Sequence, residues 1–327
     1  MTVSLAQQIQ AGDRRALARG ITLVESTRAD HRQQASELLE HIMPATGNSL
    51  RLGISGAPGV GKSTFIEALG NDLTERNHRV AVLAVDPTST LSGGSILGDK
   101  TRMEMLAVNT NAFVRPTPAG KTLGGVARYT REALLLCEAA GFDCIIIETV
   151  GVGQSETMVA QMTDMFLLLL SPGGGDDLQG IKRGIMELTD LLLVNKADGD
   201  QVAIAKQTVS DYQAALQFMQ PRSEYWKPQV VSCSALKKQG LDTVIELIGD
   251  FQKALSNSGQ LADIRAEQAR AWMWSETAQI LISDLKDHTA IKSLLVELEK
   301  AVLKGDIPPT VAAERLISHY KGQYKNQ

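Results

Sequence analysis

Continuous apolar runs recur along the middle of the chain, where strands with one exposed face would show alternating apolar and polar positions. Runs of this kind predict strands that are covered on both faces of a parallel sheet. Stretches with helical apolar spacing separate them, so we expect residues 49–256 to form a doubly wound, mainly parallel α/β domain. The predicted strands are Arg51–Ser55, Arg79–Val85, Ala112–Arg115, Cys144–Thr149, Met165–Leu170, Leu191–Asn195 and Gln229–Ser232.

Both ends of the chain have helical spacing and no strand-like run. Residues 1–48 are expected to form an N-terminal helical extension, in which Asp13 could cap a helix. Residues 257–327 carry apolar groups at helical spacing between charges, and they predict a C-terminal helical extension. Its residues Trp272 and Trp274 either pack on the parent domain or form part of a dimer surface. The extension is therefore a candidate dimerisation arm.

Composition and charge narrow the classes of protein. Hydrophobic residues make up 43% of the 327 residues, enough for a sizeable core, and a net charge of −4 gives no electrostatic footprint for nucleic acid. The longest apolar run, Met165–Leu170, is too short to span a membrane, and the first residues lack the pattern of a signal peptide. The cysteines Cys137, Cys144 and Cys233 form no C-x-x-C pair, which suits a reducing compartment. We therefore expect a cytoplasmic protein.

One stretch fits the phosphate-loop pattern G-x-x-x-x-G-K-[ST] at every fixed position: Gly56, Ala57, Pro58, Gly59, Val60, Gly61, Lys62, Ser63 and Thr64. It follows a predicted strand and precedes a predicted helix, which is the context that phosphate binding requires. Its glycines let the backbone aim N–H groups at one anion, and the helix adds the positive end of its dipole. Lys62 is then expected to reach the β- and γ-phosphates, and the Ser63 hydroxyl to bind Mg²⁺. The alternative is a glycine-rich turn that binds nothing.

A second motif, N-K-x-D, follows the apolar run Leu191–Val194 and comprises Asn195, Lys196 and Asp198. Ligands of open α/β sheets bind at the carboxyl ends of the strands. Asp198 can accept hydrogen bonds from N1–H and the 2-amino group of guanine, whereas adenine would leave this carboxylate unpaired. Asn195 is expected to hold neighbouring loops, and Lys196 to lie along the base. The motif therefore predicts selectivity for GTP and GDP.

The loop after the last predicted strand supports this interpretation. Ser234, Ala235 and Leu236 fit the S-A-x loop that contacts the guanine O6 atom through backbone N–H groups. Alone, this loop and the N-K-x-D tetrapeptide would each pass as an ordinary turn. Their order after a complete phosphate loop favours the guanine interpretation.

Three acidic residues are candidates for the metal and the attacking water. Asp86 ends the second predicted strand beside the phosphate loop, although it could instead form an Asx turn fixed by Pro87. Glu148 occupies the place of the Asp-x-x-Gly of many GTPases, where it could act on Mg²⁺ through water and the Gly151 N–H could sense the γ-phosphate. The alternative is a plain strand end. Asp99 lies in a glycine-rich stretch and could reach the metal when the nucleotide changes.

A further glycine-rich stretch, residues 171–184, follows the fifth predicted strand. It contains three consecutive glycines, two acidic residues and the bases Lys182 and Arg183. This composition is typical of a flexible, charged switch. A solvated loop is the alternative.

Together these blocks resemble the MeaB/ArgK family, also called the LAO/AO transport kinase family, within the SIMIBI class of phosphate-loop GTPases. The resemblance covers nearly the whole chain. It rests on GAPGVGKST (56–64), VDPTS (85–89), GDKTRM (98–103), ETVGVGQSE (148–156), GDDLQGIKRG (175–184) and NKAD (195–198).

The resemblance implies a homodimeric GTPase that acts as a chaperone for methylmalonyl-CoA mutase, gates its loading with adenosylcobalamin, and protects or reactivates the mutase. It also implies that Lys62 and Ser63 bind phosphate and Mg²⁺. By the same resemblance, Asp86, Asp99 and Glu148 surround the metal and the attacking water. Lys182 would belong to a third switch that responds to the mutase and could pair with Glu148.

Three other functions stay open on the sequence. The transport-kinase name implies transfer of the γ-phosphate to an amino-acid-binding transport component, but the chain has no kinase-type H-R-D or D-F-G motif. Metal-delivery relatives generally carry histidine-rich tracts or clustered cysteines near their switches, which this sequence lacks. A nucleotide-dependent binding module without catalysis is the third alternative.

Overall fold

A computed structural model describes residues 2–85, 103–117, 123–149, 155–173 and 183–324. The strands are β1 (Leu50–Gly56), β2 (Val80–Val85), β3 (Ala112–Thr117), β4 (Cys144–Thr149), β5 (Met165–Leu170), β6 (Leu191–Val194) and β7 (Gln229–Ser232). The helices are α1 (Thr2–Gln10), α2 (Arg14–Val24), α3 (Ala29–Ile42), α4 (Lys62–Glu75), α5 (Glu104–Val108), α6 (Leu123–Ala139), α7 (Ser155–Ala160), α8 (Arg183–Met186), α9 (Val202–Leu216), α10 (Leu241–Asn257), α11 (Gln260–Asp287), α12 (Thr289–Lys304) and α13 (Pro309–Tyr324).

All seven strands run parallel in one sheet, in the order β3-β2-β4-β1-β5-β6-β7. The predicted α/β fold with a mainly parallel sheet is confirmed, since each predicted strand is present with its ends shifted by at most two residues. Strand β1 lies between β4 and β5. The loops that leave these three neighbouring strands therefore meet at one edge of the sheet.

The sheet is covered on both faces, which explains the continuous apolar runs. Side chains alternate between the two faces of a strand. In β2, Val80 and Val82 pack with α4 and α10, whereas Ala81 and Leu83 pack with α1–α3, α6 and α7. A third apolar cluster lies where α9 covers β5, β6 and β7. Because both sets of side chains are buried, no polar alternation is needed in the sequence.

The N-terminal helices α1–α3 help to cover the sheet face on which Ala81 and Leu83 lie. The Asp13 carboxylate caps α2 by accepting hydrogen bonds from the backbone N–H groups of Arg15 and Ala16. Ion pairs then tie the helices to the sheet domain. Arg32 reaches the buried Glu132 of α6 at 3.1 Å, and Arg115 of β3 pairs with Glu25.

Helix α11 is attached to the sheet by a guanidinium clamp. Arg265 donates to both oxygens of the buried Asp164, at 2.8 and 2.7 Å, and to the carbonyl oxygens of Gly47 and Ser49. Asp164 precedes β5 and also accepts from the backbone N–H of Arg51 in β1. The clamp therefore fixes the first turns of α11 to the amino ends of two central strands.

The chain divides into two compact units, Met1–Gln268 and Ala269–Gln327. The first unit contains the sheet and the N-terminal helices. The second contains the rest of α11 together with α12 and α13, where Ile291, Leu298 and Ala312 are buried. No described helix combines the length and the apolar character needed to cross a bilayer.

Candidate functional site

The loop between β1 and α4 has a shape that its glycines permit. Gly56 and Gly61 have φ angles of 152° and 94°, which residues with a side chain rarely adopt. A Cβ on Gly56 would lie 2.5 Å from the carbonyl oxygen of Leu169, and one on Gly61 would lie 2.7 Å from Nδ2 of Asn195. The loop thus passes closely over β5 and the loop after β6, and only glycine fits both contacts.

Lys62 begins α4 and turns its side chain back into the loop. Its Nζ donates to the carbonyl oxygen of Gly56 at 2.8 Å and to that of Ala57 at 3.2 Å. The side chain is largely buried, with 9% of the residue exposed. The ammonium group is therefore held in the concave side of the loop, where the sequence predicts phosphate.

Ser63 and Glu148 meet beside the loop. The Ser63 hydroxyl donates to Oε1 of Glu148 at 3.2 Å. The parallel register of β1 and β4 places Ile54 opposite Glu148, which brings the carboxylate to the start of α4. Glu148 is 3% exposed. The two residues bring a hydroxyl and a carboxylate together, the oxygen ligands that Mg²⁺ prefers.

Four predicted site residues lie outside the described part of the chain: Asp86, Asp99, Gly151 and Lys182. Two of them, Asp86 and Asp99, are predicted metal residues. Among the described residues, no group of three or more histidine, cysteine, aspartate or glutamate side chains comes together as a metal site. Ser63 and Glu148 are thus the described members of the predicted set.

Asn195 joins the phosphate loop to the guanine-reading loops. Its Nδ2 donates to the carbonyl oxygen of Val60 at 3.0 Å, and its Oδ1 accepts from the backbone N–H of Ala235 at 3.1 Å. Lys196, in a left-handed conformation with φ of 59°, donates from Nζ to the carbonyl oxygen of Gly59 at 2.7 Å. Three segments far apart in the sequence are therefore held as one site.

A hydrogen bond from Ser234 orients the carboxylate of Asp198. The buried Ser234 hydroxyl donates to Oδ2 of Asp198 and accepts from the backbone N–H of Lys237 at 3.1 Å. This arrangement fixes the plane of the carboxylate that is predicted to read the base. The next residues of the loop differ, since Ala235 is buried and Leu236 is 74% exposed.

Cys233 also contacts this site, which sequence reasoning missed. Its Sγ lies 3.6 Å from Oδ1 of Asn195, and burial raises the pKa of the thiol to about 12. The thiol is therefore protonated at neutral pH and acts as a weak donor to the same oxygen that Ala235 binds. Its position directly before the S-A-x loop was the available signal.

A parallel sheet covered on both faces, a phosphate loop at its carboxyl edge and an N-K-x-D loop bonded to it define a phosphate-loop GTPase. The family model described as methylmalonyl-CoA mutase-associated GTPase MeaB matches residues 17–290. The chain belongs to this MeaB family. It is accordingly a GTP hydrolase that binds guanine nucleotide.

Individual relatives agree with this assignment over almost the full length. A Caulobacter vibrioides protein is 55% identical over 317 residues, which cover 97% of each chain. The mouse protein named methylmalonic aciduria type A homolog, mitochondrial, is 46% identical, over 96% of this chain and 78% of its own. A crystal structure titled LAO/AO transport system kinase has a TM-score of 0.77 at 37% identity, and covers 98% of this chain and 97% of its own.

Proposed function

We propose that this GTPase couples Mg²⁺-dependent GTP hydrolysis to the assembly of methylmalonyl-CoA mutase. It would act as a chaperone that gates the loading of adenosylcobalamin and protects or reactivates the mutase. Two descriptions support the partner. The family is named for association with methylmalonyl-CoA mutase, and the mouse relative is named for methylmalonic aciduria.

The proposal that the protein acts through GTP rests on the hydrogen bonds between the N-K-x-D loop and the phosphate loop. Asn195 and Lys196 reach the carbonyl oxygens of Val60 and Gly59, so the loop that reads the base is braced on the loop that holds phosphate. A preorganised site loses less entropy when it binds its ligand. One ligand with both a guanine and a phosphate chain would satisfy the two loops at once.

The proposed metal site uses oxygen ligands from several segments. Ser63 would bind Mg²⁺ directly, while Glu148, Asp86 and Asp99 would hold the metal or its water shell. Two of these fit a hard cation by chemistry and position, because the Ser63 hydroxyl and the Glu148 carboxylate already lie within hydrogen-bond distance. Bound Mg²⁺ supplies positive charge that offsets the charge developing on the phosphates.

The remaining assignments concern hydrolysis and its control. Lys62 would leave the loop carbonyls and bind the phosphates as a point charge, and Gly151 would sense the γ-phosphate. Asp86 and Glu148 would orient the attacking water. Lys182, in the charged stretch after β5, would respond to the mutase. Because no arginine finger is evident in the sequence, we expect slow intrinsic hydrolysis that the partner accelerates.

We also propose that the protein is a cytoplasmic homodimer that pairs through residues 257–327. The second half of α11 supports the pairing, because Met273, Trp274 and Leu281 are 55%, 64% and 56% exposed. Positions 274 and 281 lie seven residues apart and so share one side of the helix. A second copy of the same helix is an apolar partner that would cover them.

The test measures GTP hydrolysis with and without saturating methylmalonyl-CoA mutase, using GTP labelled at the γ-phosphate. Release of free phosphate that rises on adding the mutase is expected. Ordering of a missing cationic group by a partner can raise GTPase rates roughly 10³-fold. Lys182→Ala should lower the stimulated rate far more than the basal rate. Lys206→Ala, which changes an exposed lysine of α9, is the matched control.

Each contrary result points elsewhere. Transfer of the label to a protein acceptor would indicate a kinase, and retention of intact GTP would indicate a binding module without catalysis. A hydrolysis rate that does not respond to the mutase would contradict the proposed partner. Equal fold-stimulation of the wild type and the Lys182→Ala variant would remove Lys182 from the response.

A further inference from the structure

Two buried hydroxyl groups meet where β1 and β4 end. Thr149, the last residue of β4, donates from Oγ1 to Oγ of Ser55 at 2.9 Å. Ser55 precedes the first glycine of the phosphate loop. The two residues are 1% and 0% exposed, so water cannot replace the bond in the folded protein. Ninety-four residues separate them in sequence, and neither has a predicted role.

Each hydroxyl is next to a residue of the proposed nucleotide site: Thr149 follows Glu148 of the metal site, and Ser55 precedes Gly56 of the phosphate loop. The register of β1 and β4 runs from Leu50 opposite Cys144 to Ile54 opposite Glu148. The hydroxyl bond joins the next residue of each strand. It therefore extends the junction of the two strands beyond Glu148, to the point where β1 passes into the phosphate loop.

Strand alternation separates the bond from the metal site itself. In β4, Ile145 and Ile147 belong to the core below α1–α3, α6 and α7, whereas Ile146 belongs to the core below α4. Thr149 therefore lies on the same face of the sheet as Ile145 and Ile147. Glu148 lies on the opposite face, toward α4, where its carboxylate meets Ser63. The hydroxyl pair does not touch the nucleotide side, so it can act there only by positioning the strand ends.

We propose that Ser55 and Thr149 form a positioning pair that holds the Glu148 carboxylate in register with the Ser63 hydroxyl. This inference rests on the proposed role of Glu148 and Ser63 in binding Mg²⁺. A buried hydroxyl without a partner is costly, so the two hydroxyls fix each other. Losing the bond lets the ends of β4 and β1 separate, and a displaced carboxylate binds the metal less tightly.

The experiment measures the Mg²⁺ concentration that gives half-maximal GTP hydrolysis at saturating GTP. Thr149→Val keeps the shape of the side chain and removes the donor, and Thr149→Ser keeps the donor. Loss of a group that orients a metal ligand weakens metal binding by about tenfold or more. We expect a shift of that size for Thr149→Val and a value near wild type for Thr149→Ser.

A double-mutant cycle measures whether Ser55 and Thr149 act together on the Mg²⁺ requirement. Ser55→Ala leaves the Thr149 hydroxyl without its acceptor and should raise the half-saturating Mg²⁺ concentration as well. Because each single variant already breaks the bond, the Ser55→Ala/Thr149→Val double variant should be no worse than the more affected single variant. If Thr149→Val does not fold, Ser55→Ala alone against wild type still tests the shift. Thermal unfolding is recorded for each variant.

Two results would overturn the positioning role. One is a lower melting temperature with an unchanged Mg²⁺ requirement, which is the behaviour of a purely structural bond. The other is fully additive effects of the two single changes. Glu148→Gln distinguishes this failure from failure of the proposed metal site. If Glu148→Gln shifts the Mg²⁺ requirement and Thr149→Val does not, only the positioning pair is wrong. If Glu148→Gln has no effect, the metal assignment is wrong.

Discussion

At the scale of single residues, the phosphate loop is held by backbone carbonyls that accept from lysines. Lys62 binds the carbonyl oxygens of Gly56 and Ala57, and Lys196 binds that of Gly59. Both lysine side chains thus lie against the backbone of the loop that is predicted to hold phosphate.

Lys62→Ala tests the phosphate contact. The variant loses a charge-assisted hydrogen bond worth roughly 1.5–3 kcal/mol. GTP binding should weaken by about 10- to 100-fold, and turnover should fall further, because charge develops on the phosphates in the transition state. Equilibrium binding of a fluorescent GTP analogue and phosphate release measure the two effects. Lys206→Ala serves again as control, and unchanged turnover in Lys62→Ala would place the active site elsewhere.

Asp198→Asn tests the base contact. The change replaces two acceptor oxygens by one acceptor and one donor, so the pattern no longer matches guanine. GTP should bind more weakly and xanthosine triphosphate more tightly, since xanthine carries an oxygen in place of the 2-amino group. Competition binding with the two nucleotides measures the change in their relative affinities. Wild-type protein that bound ATP as well as GTP would contradict guanine selectivity.

At the scale of elements, the buried carboxyl group of Asp190 joins the amino ends of β5 and β6. Asp190 precedes β6 and accepts from the backbone N–H of Phe166 at 2.8 Å and from Arg222 at 3.2 Å. Burial raises the pKa of Asp190 to about 6, although Arg222 works in the opposite direction. The folded protein thus holds this proton more tightly than the unfolded chain, in which the carboxyl pKa is near 3.8.

The raised pKa predicts how stability changes with pH. Between about pH 4 and pH 6 the folded state keeps the proton that the unfolded state has lost. The contribution of Asp190 is therefore fully present below pH 4 and decreases as pH rises through 6, by at most about 1.4 kcal/mol per pH unit. Urea unfolding of wild type and Asp190→Asn at pH 4.5, 5.5 and 6.5 isolates it. Parallel stability curves for the two proteins would contradict the prediction.

The strands were predictable from the sequence, while the bonds between elements were not. A continuous apolar run such as Met165–Leu170 follows from burial on both faces, which needs no knowledge of neighbours. The Ser55–Thr149 bond and the Arg265–Asp164 clamp join residues 94 and 101 apart. Their pairing depends on strand order, which apolar spacing does not encode. The phosphate loop was predictable because its chemistry fixes residue types at adjacent positions.

At the scale of the whole molecule, the C-terminal unit leaves several apolar side chains exposed. Ile280, Leu281 and Ile282 are all more than half exposed on α11, and Leu303 of α12 is 87% exposed. Large apolar side chains that stay exposed on a helix are candidates for an interaction surface. The first unit buries its own core, so association is expected to depend on the second unit.

Changing two residues of this surface tests the dimer. Trp274→Glu combined with Leu281→Glu places charges on the proposed apolar face, where burial against a second copy would cost several kcal/mol. The wild type should sediment as a dimer at micromolar concentration and the double variant as a monomer with unchanged GTP binding. Lys286→Glu, at an exposed position of the same helix, controls for charge. A monomeric wild type would contradict the proposed dimer.

The three buried cysteines can report local unfolding of the regions in which they lie. Cys137 lies in α6, Cys144 begins β4 and Cys233 lies at the base-reading loop, and each is at most 4% exposed. Burial raises the pKa of all three thiols, so a thiol reagent has neither access nor thiolate to attack. Under native conditions, the rate at which each thiol is labelled therefore measures how often the region around that cysteine unfolds locally. Bound GDP should slow the labelling of Cys233 more than that of Cys137. Mass spectrometry of the labelled peptides measures both rates, so nucleotide binding can be followed through the protein's own cysteines.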